Sequence, residues 1–81
     1  MAEQDDLRRR FDYHRPTPDK SQVHEEVRTI LLHAALKLND LVPEGREKAL
    51  MLTHLEDAMM WGNAGVARNP LPQPVTQHTL F

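Results

Sequence analysis

The chain has 81 residues, ten Lys and Arg against twelve Asp and Glu, and no cysteine. That length excludes several domains and a large private core, and the missing cysteine excludes a disulfide framework and a thiolate metal site. A formal net charge of −2 argues against a general binder of polymeric nucleic acid, which is normally basic overall.

The opening MAEQDDLRRR has no apolar run after its charges, so no signal peptide is expected. No apolar stretch approaches the length of a membrane span. The expectation is a soluble, cytoplasmic protein. Residues 5–12, DDLRRRFD, read as a short helix capped by Asp5 or Asp6, with Leu7 and Phe11 one turn apart. Residues 13–20 follow as a stiff linker, because Pro16 and Pro18 fix φ and disfavour helix in the residues before them.

From Ser21 the pattern is helical. Val23, Val27, Ile30, Leu31, Ala34, Leu38 and Leu41 recur at steps of three and four. Asp19 or Ser21 is the expected cap. Leu32, Ala35 and Leu36 add a second apolar face, and a helix apolar on two sides needs two partners. This helix should stop near Asp40, before Pro43 and Gly45. The next should begin near Pro43 or Glu44, with Glu44 and Glu47 at the acidic-preferring end of its dipole. Leu52, Met59 and Val66 form one stripe along it, and Met51, Ala58 and Gly65 another. Gly62, Ala64, Gly65 and Ala67 are small enough for a close backbone approach, with fraying near the helix end as the plainer explanation. Pro70 ends the helix at Arg68 or Asn69. The tail, NPLPQPVTQHTLF, should be extended and closes on apolar Leu80 and Phe81.

The predicted organisation is therefore residues 1–20 as a short helix and linker, 21–69 as a helical hairpin, and 70–81 as a Pro-rich tail. The fold class is all-α. Two apolar faces per helix cannot be satisfied inside one hairpin, so a symmetric homo-oligomer is expected.

The chemistry-bearing residues form no catalytic constellation. There is no His-x-x-x-His pair, HExxH, Walker A, GxSxG or GxGxxG among the motifs. His54 and Asp57 are three apart, a spacing common on solvated helix faces. No metal, cofactor or catalytic residue is expected. The charge distribution is more informative, since six of the ten basic residues fall between Arg8 and Arg28. Within that window Tyr13 offers a face for stacking, while Arg15, Lys20 and Arg28 offer donors to phosphate, the combination that holds nucleotides without reading a duplex. Spacing and charge alone favour the plainer readings, in which Tyr13 staples the linker onto the helices and the basic window is a solvated face.

The segment FDYHRP, then HEEVR, then LVPEGREKALMLTHLEDAMMWGNAGVARNP resembles the phage proteins that counter CBASS immunity by sequestering its cyclic-nucleotide messengers. The same hairpin domain occurs in a Thoeris anti-defence sponge. The resemblance runs from about Arg10 to Pro70. It implies a homohexamer of helical hairpins that binds cyclic dinucleotides between protomers, and in some members cyclic trinucleotides near three-fold axes, without cleaving them. It also implies action in the cytoplasm of an infected bacterial host. A pre-helix tyrosine and a basic residue of the first long helix, a lysine in the family, map onto Tyr13 and Arg28. With His14, Lys20 and His24 they make the expected dinucleotide site. The end of the second long helix, Arg68, Asn69 and Pro70, maps onto the trinucleotide site. The stiff segment would then hold Tyr13 ready for a base, lowering the entropy lost on binding. The sequence also permits two competing functions: an adaptor whose hairpins only assemble, with Leu80 and Phe81 docking elsewhere, and an enzyme that hydrolyses the messenger.

Overall fold

The computed structural model describes residues 3–72, and these contain three helices and no strand. The expectations about Leu80, Phe81 and most of the tail lie outside the described residues.

Helix α1 runs Gln4–Phe11. It starts a residue earlier than the sequence predicts, so Asp5 and Asp6 sit inside the first turn and do not cap it; the N-cap is Glu3, without a side-chain cap bond. The acids still help, because first-turn carboxylates and the last-turn Arg8, Arg9 and Arg10 both complement the helix dipole. Arg10 Nη1 also lies 3.5 Å from Asp6 Oδ2 on an exposed i, i+4 pair, the kind worth only a few tenths of a kcal/mol.

Helix α2 runs Pro18–Leu41. Neither Asp19 nor Ser21 caps it. Thr17 does, in extended backbone, its hydroxyl accepting from the Lys20 N–H at 3.2 Å. The shift has a simple cause: Pro18 at the first helical position is already set to helical φ, and its missing N–H is one that would have had no partner in any case. The linker is correspondingly shorter than predicted, residues 13–17 alone lying between the helices and their flanking bend. α2 passes the predicted stop at Asp40 by one residue. It ends because Pro43 forces Val42 into extended backbone.

Helix α3 runs Arg46–Arg68, two or three residues later than the sequence predicts, with Gly45 as its N-cap. Glu44 thus lies in the turn and not in the helix. From there its carboxylate reaches back to accept from Lys48 Nζ at 2.7 Å. At the far end Asn69 is extended, as the residue before Pro70 must be, and both its backbone and side-chain N–H groups donate to the Gly65 carbonyl at 3.1 Å.

α2 and α3 pack against each other as an antiparallel hairpin, and α1 makes no comparable contact with either. The seam is half-buried only: Val27, Leu31, Ala34 and Leu38 of α2 and Met51, Leu52, Leu55, Met59 and Val66 of α3 are each half-buried, and no described hydrophobic side chain is fully buried. Lys48 is the only buried residue among those described, and its ammonium reaches Glu44. Leu32 and Leu36 stay 56% exposed, Leu41 69%, Met60 55% and Trp61 73%. On α2 the predicted second face is uncovered at Leu32 and Leu36; on α3 the predicted second stripe is not, since Met51 and Gly65 are half-buried, and the exposed large apolar side chains there are Leu50, Met60 and Trp61. The small residues divide: a Cβ at Gly62 would sit 3.4 Å from Val27 Cγ1, ordinary contact, while one at Gly65 would meet nothing within 4 Å. Close packing inside one chain therefore does not require glycine at Gly65.

Candidate functional site

The open end of the hairpin is tied by three hydrogen bonds, and each uses a residue of the expected ligand sites. His24 Nδ1 on α2 donates to Asn63 Oδ1 on α3 at 2.8 Å. One turn nearer the end, Lys20 Nζ donates to the Ala67 carbonyl at 3.3 Å, placing a cation on the last carbonyls of α3 where the dipole favours it. Arg68 Nη2 donates to the Arg10 carbonyl at 3.2 Å, attaching the end of α1 to the end of α3. Lys20 and Arg68 are cations on C-terminal carbonyls, the placement helix ends favour, and His24 bridges the two helices, so a stability role accounts for all three contacts without a ligand.

The linker leaves from the same end. His14 Nε2 donates to the Arg9 carbonyl at 2.6 Å, folding the segment back on the last turn of α1. Tyr13, beside it, is 83% exposed, and Phe11 80%. Thus Tyr13, His14, Lys20, His24, Arg68, Asn69 and Pro70 all lie at one end of the hairpin. The imidazole of His24 and the ammonium of Lys20 are committed to α3. Arg68 spends one of its five N–H donors on Arg10 and keeps the others. Tyr13 makes no hydrogen bond to any described residue.

Arg28 sits apart from this cluster. One turn along α2 from His24, it lines a groove of about 290 Å³ between the two long helices, with Leu31, Leu32, Leu52, Glu56 and Met59. Its guanidinium has no ion-pair partner among the described residues. A single chain therefore does not assemble the expected dinucleotide site into one pocket: the ring is on the linker and the cation is on the flank.

Two residues escaped the sequence reading. Asn63 was hidden in an apolar, small-residue block, and only the antiparallel register, unknowable from spacing, brings it to His24. Glu56 has no spacing that singles it out in the sequence, yet it edges the groove that holds Arg28. Among the described residues no group of three His, Asp or Glu side chains is placed to hold a metal ion, and no helix is long and apolar enough to cross a membrane. The nearest acid–histidine pair, His54 Nδ1 and Asp57 Oδ2 at 3.7 Å, is on an exposed helix face.

Comparison with known proteins adds one finding: the family model described as Acb2/Tad1, hairpin domain, matches residues 3–67, most of the chain and all of α1 and α2. No curated protein and no solved structure gives a significant match.

Proposed function

The chain belongs to the Acb2/Tad1 hairpin family, a family of messenger sponges, and from that premise we propose that it binds and sequesters cyclic di- and trinucleotides without cleaving them. It would be phage-encoded, act in the cytoplasm of the infected bacterium, and starve CBASS effectors of their activator as a homohexamer. The observation that carries this reading is Tyr13: an aromatic ring 83% exposed, on a segment stiffened by two prolines, is poised for stacking and makes no hydrogen bond to any described residue. An exposed ring on an ordered support loses little entropy when a base stacks on it. Arg28 adds a guanidinium free for a phosphate, and the remaining donors of Arg68 allow a second, separate phosphate contact.

The dinucleotide reading assigns Tyr13 and Arg28 from different copies, or from surfaces that assembly brings together, because one chain keeps them apart. His14, Lys20 and His24 then act as supports that fix the open end, and Arg68, Asn69 and Pro70 serve the trinucleotide.

The test is recovery of the ligand. Protein incubated with a panel of cyclic di- and trinucleotides is separated from free ligand, heated, and the released small molecule identified by mass. Intact ligand released in near-stoichiometric amount is the expected result. A linear product would make the protein an enzyme, and no retained ligand would leave an assembling adaptor. Arg68→Ala is expected to abolish trinucleotide retention while dinucleotide retention persists; equal loss of both would mean a single shared pocket.

A further inference from the structure

Trp61 is the chain's one tryptophan and stands 73% exposed. Neither the hairpin seam nor either ligand site uses it. It lies on α3 two turns before Arg68. Trp61, Gly65 and Arg68, spaced i, i+4 and i+7, fall on one face of that helix. The face is turned away from α2, because Asn63, which bonds His24, stands about 160° around the helix from Trp61.

The ground between the ring and the guanidinium is open. A Cβ at Gly65 would meet nothing within 4 Å. Glycine weakens a helix interior, and packing within the chain does not call for one here, so what it provides is space on the outer side. Trp61 and Arg68 leave the backbone about 10 Å apart along the axis. A nucleotide fits a gap of that order, its base on the indole and its phosphate on the guanidinium, with one sugar joining them. Charge is graded the same way. The bond from Arg68 to the Arg10 carbonyl brings the end of α1 beside it, and the last turn of α1 holds Arg8, Arg9 and Arg10. Of these only Arg10 has an ion-pair partner among the described residues, Asp6. The Arg68 end of the face is therefore basic. The acid of α3 nearest in sequence to Trp61 is Asp57, which lies beyond the ring from Arg68 and faces His54.

We propose that Trp61 is the base platform of the site that Arg68 serves, with Gly65 holding open the gap that the sugar crosses. An exposed indole gives a base a broad π-face at little entropic cost, and Arg68, one N–H already anchored on α1, presents its remaining donors to the phosphate. The proposal rests on the trinucleotide reading above and adds to it a residue which that reading leaves idle. The other employment for an exposed tryptophan is burial against a second copy, and the test separates the two.

With a single tryptophan in the chain, its fluorescence reports on the site directly. Titrating the full chain with a cyclic trinucleotide should quench the emission with the midpoint that calorimetry gives, whereas a cyclic dinucleotide should leave it unchanged. Trp61→Ala should lower trinucleotide affinity roughly 5- to 150-fold, the loss of one base–aromatic stack, and dinucleotide affinity hardly at all; Trp61→Phe should keep most of both. Gly65→Leu touches neither the ring nor the guanidinium and fills the gap between them. It should lower trinucleotide affinity by a similar factor without lowering the melting temperature, because leucine is the better helix former. Trinucleotide binding that leaves the emission unmoved, or that survives Gly65→Leu while Arg68→Ala still abolishes it, overturns the assignment of Trp61 and spares Arg68. A Trp61→Ala or Gly65→Leu protein that dissociates by light scattering puts this face between copies and overturns the assignment too. A parent protein that retains no trinucleotide overturns the assignment together with the reading beneath it.

Discussion

The hairpin and the arm that precedes it treat their polar and aromatic side chains in opposite ways. At the hairpin's open end the inward polar side chains are used inside the chain, His24 on Asn63 and Lys20 on Ala67, while Arg68 spends one donor on Arg10 and keeps the rest. On the arm, Leu7, Phe11 and Tyr13 stand exposed, and Arg8 and Arg15 have no ion-pair partner among the described residues. Exposed aromatic rings on an ordered, proline-braced segment cost solubility and return nothing to one chain. The difference teaches where to look for function. Residues already satisfied are scaffold, and residues left unsatisfied are offered to something else. It also shows why a list of candidate residues drawn by position mixes the two kinds.

The largest expected effect comes from attacking the faces the hairpin leaves uncovered. Leu32 and Leu36 lie one turn apart on α2, each 56% exposed, beside a groove wall. If another copy covers them, Leu32→Glu combined with Leu36→Glu removes about 1.5–3 kcal/mol of apolar burial per residue and buries charge besides. Light scattering should then report monomers at micromolar concentration, and helical circular dichroism should fall, because a hairpin without one buried apolar side chain is marginal alone. If those two leucines faced water in the working protein, the substitution would raise solubility and change neither reading.

His24 probes the scaffold side of the comparison, with a smaller effect. His24→Ala removes a half-buried interhelical hydrogen bond and leaves Asn63 without that partner. The cost should be about 1–2 kcal/mol, which for a domain of this size lowers the melting temperature by roughly 4–16 °C. Asn63→Ala should cost about the same, and the double variant clearly less than the sum, the signature of one shared bond. Binding of cyclic dinucleotide, measured well below the melting point, should hardly change. A variant that keeps its melting temperature and loses ligand would move His24 from the scaffold to the site.

The hairpin was legible in the sequence because its cause is periodic. Apolar steps of three and four, Pro43 and Pro70 as stops, and Gly45 at the turn are local signals, and each helix end falls within a few residues of where they put it. The errors were at starts. Pro18 can break a helix or open one, and only the fold shows it as a first-turn residue with Thr17 as the cap. Glu44 suits a helix start by charge, yet it serves Lys48 from the turn. The site was less legible, for a geometrical reason. Whether Lys20, His24 and Arg28 act together depends on which way each points on α2 and on what α3 puts opposite, and neither follows from spacing. Lys20 and His24 turned inward to α3, and Arg28 turned onto the flank.

The smallest effect on the fold is expected at Tyr13, and that makes it the sharpest divider. Its ring contributes little to a single chain while 83% exposed, and the bend it occupies is held by His14 on Arg9 and by the two prolines around it. Tyr13→Ala should therefore leave the melting temperature within about a degree of the parent, since an exposed substitution away from any packed feature shifts stability by less than about 0.5 kcal/mol. Ligand binding should respond quite differently. Loss of one base–aromatic stack is worth about 1–3 kcal/mol, a fall in affinity of roughly 5- to 150-fold by calorimetry. Tyr13→Phe keeps the ring face and should keep most of the affinity, because stacking needs the π-surface and not the hydroxyl. Arg28→Ala should also weaken binding, increasingly so as salt is lowered, since an exposed cation is screened. If instead Tyr13→Ala lowered the melting temperature as much as His24→Ala does, the ring would be covered in the assembly, the arm would join the scaffold, and the division between spent and offered residues would fail at the residue on which it chiefly depends.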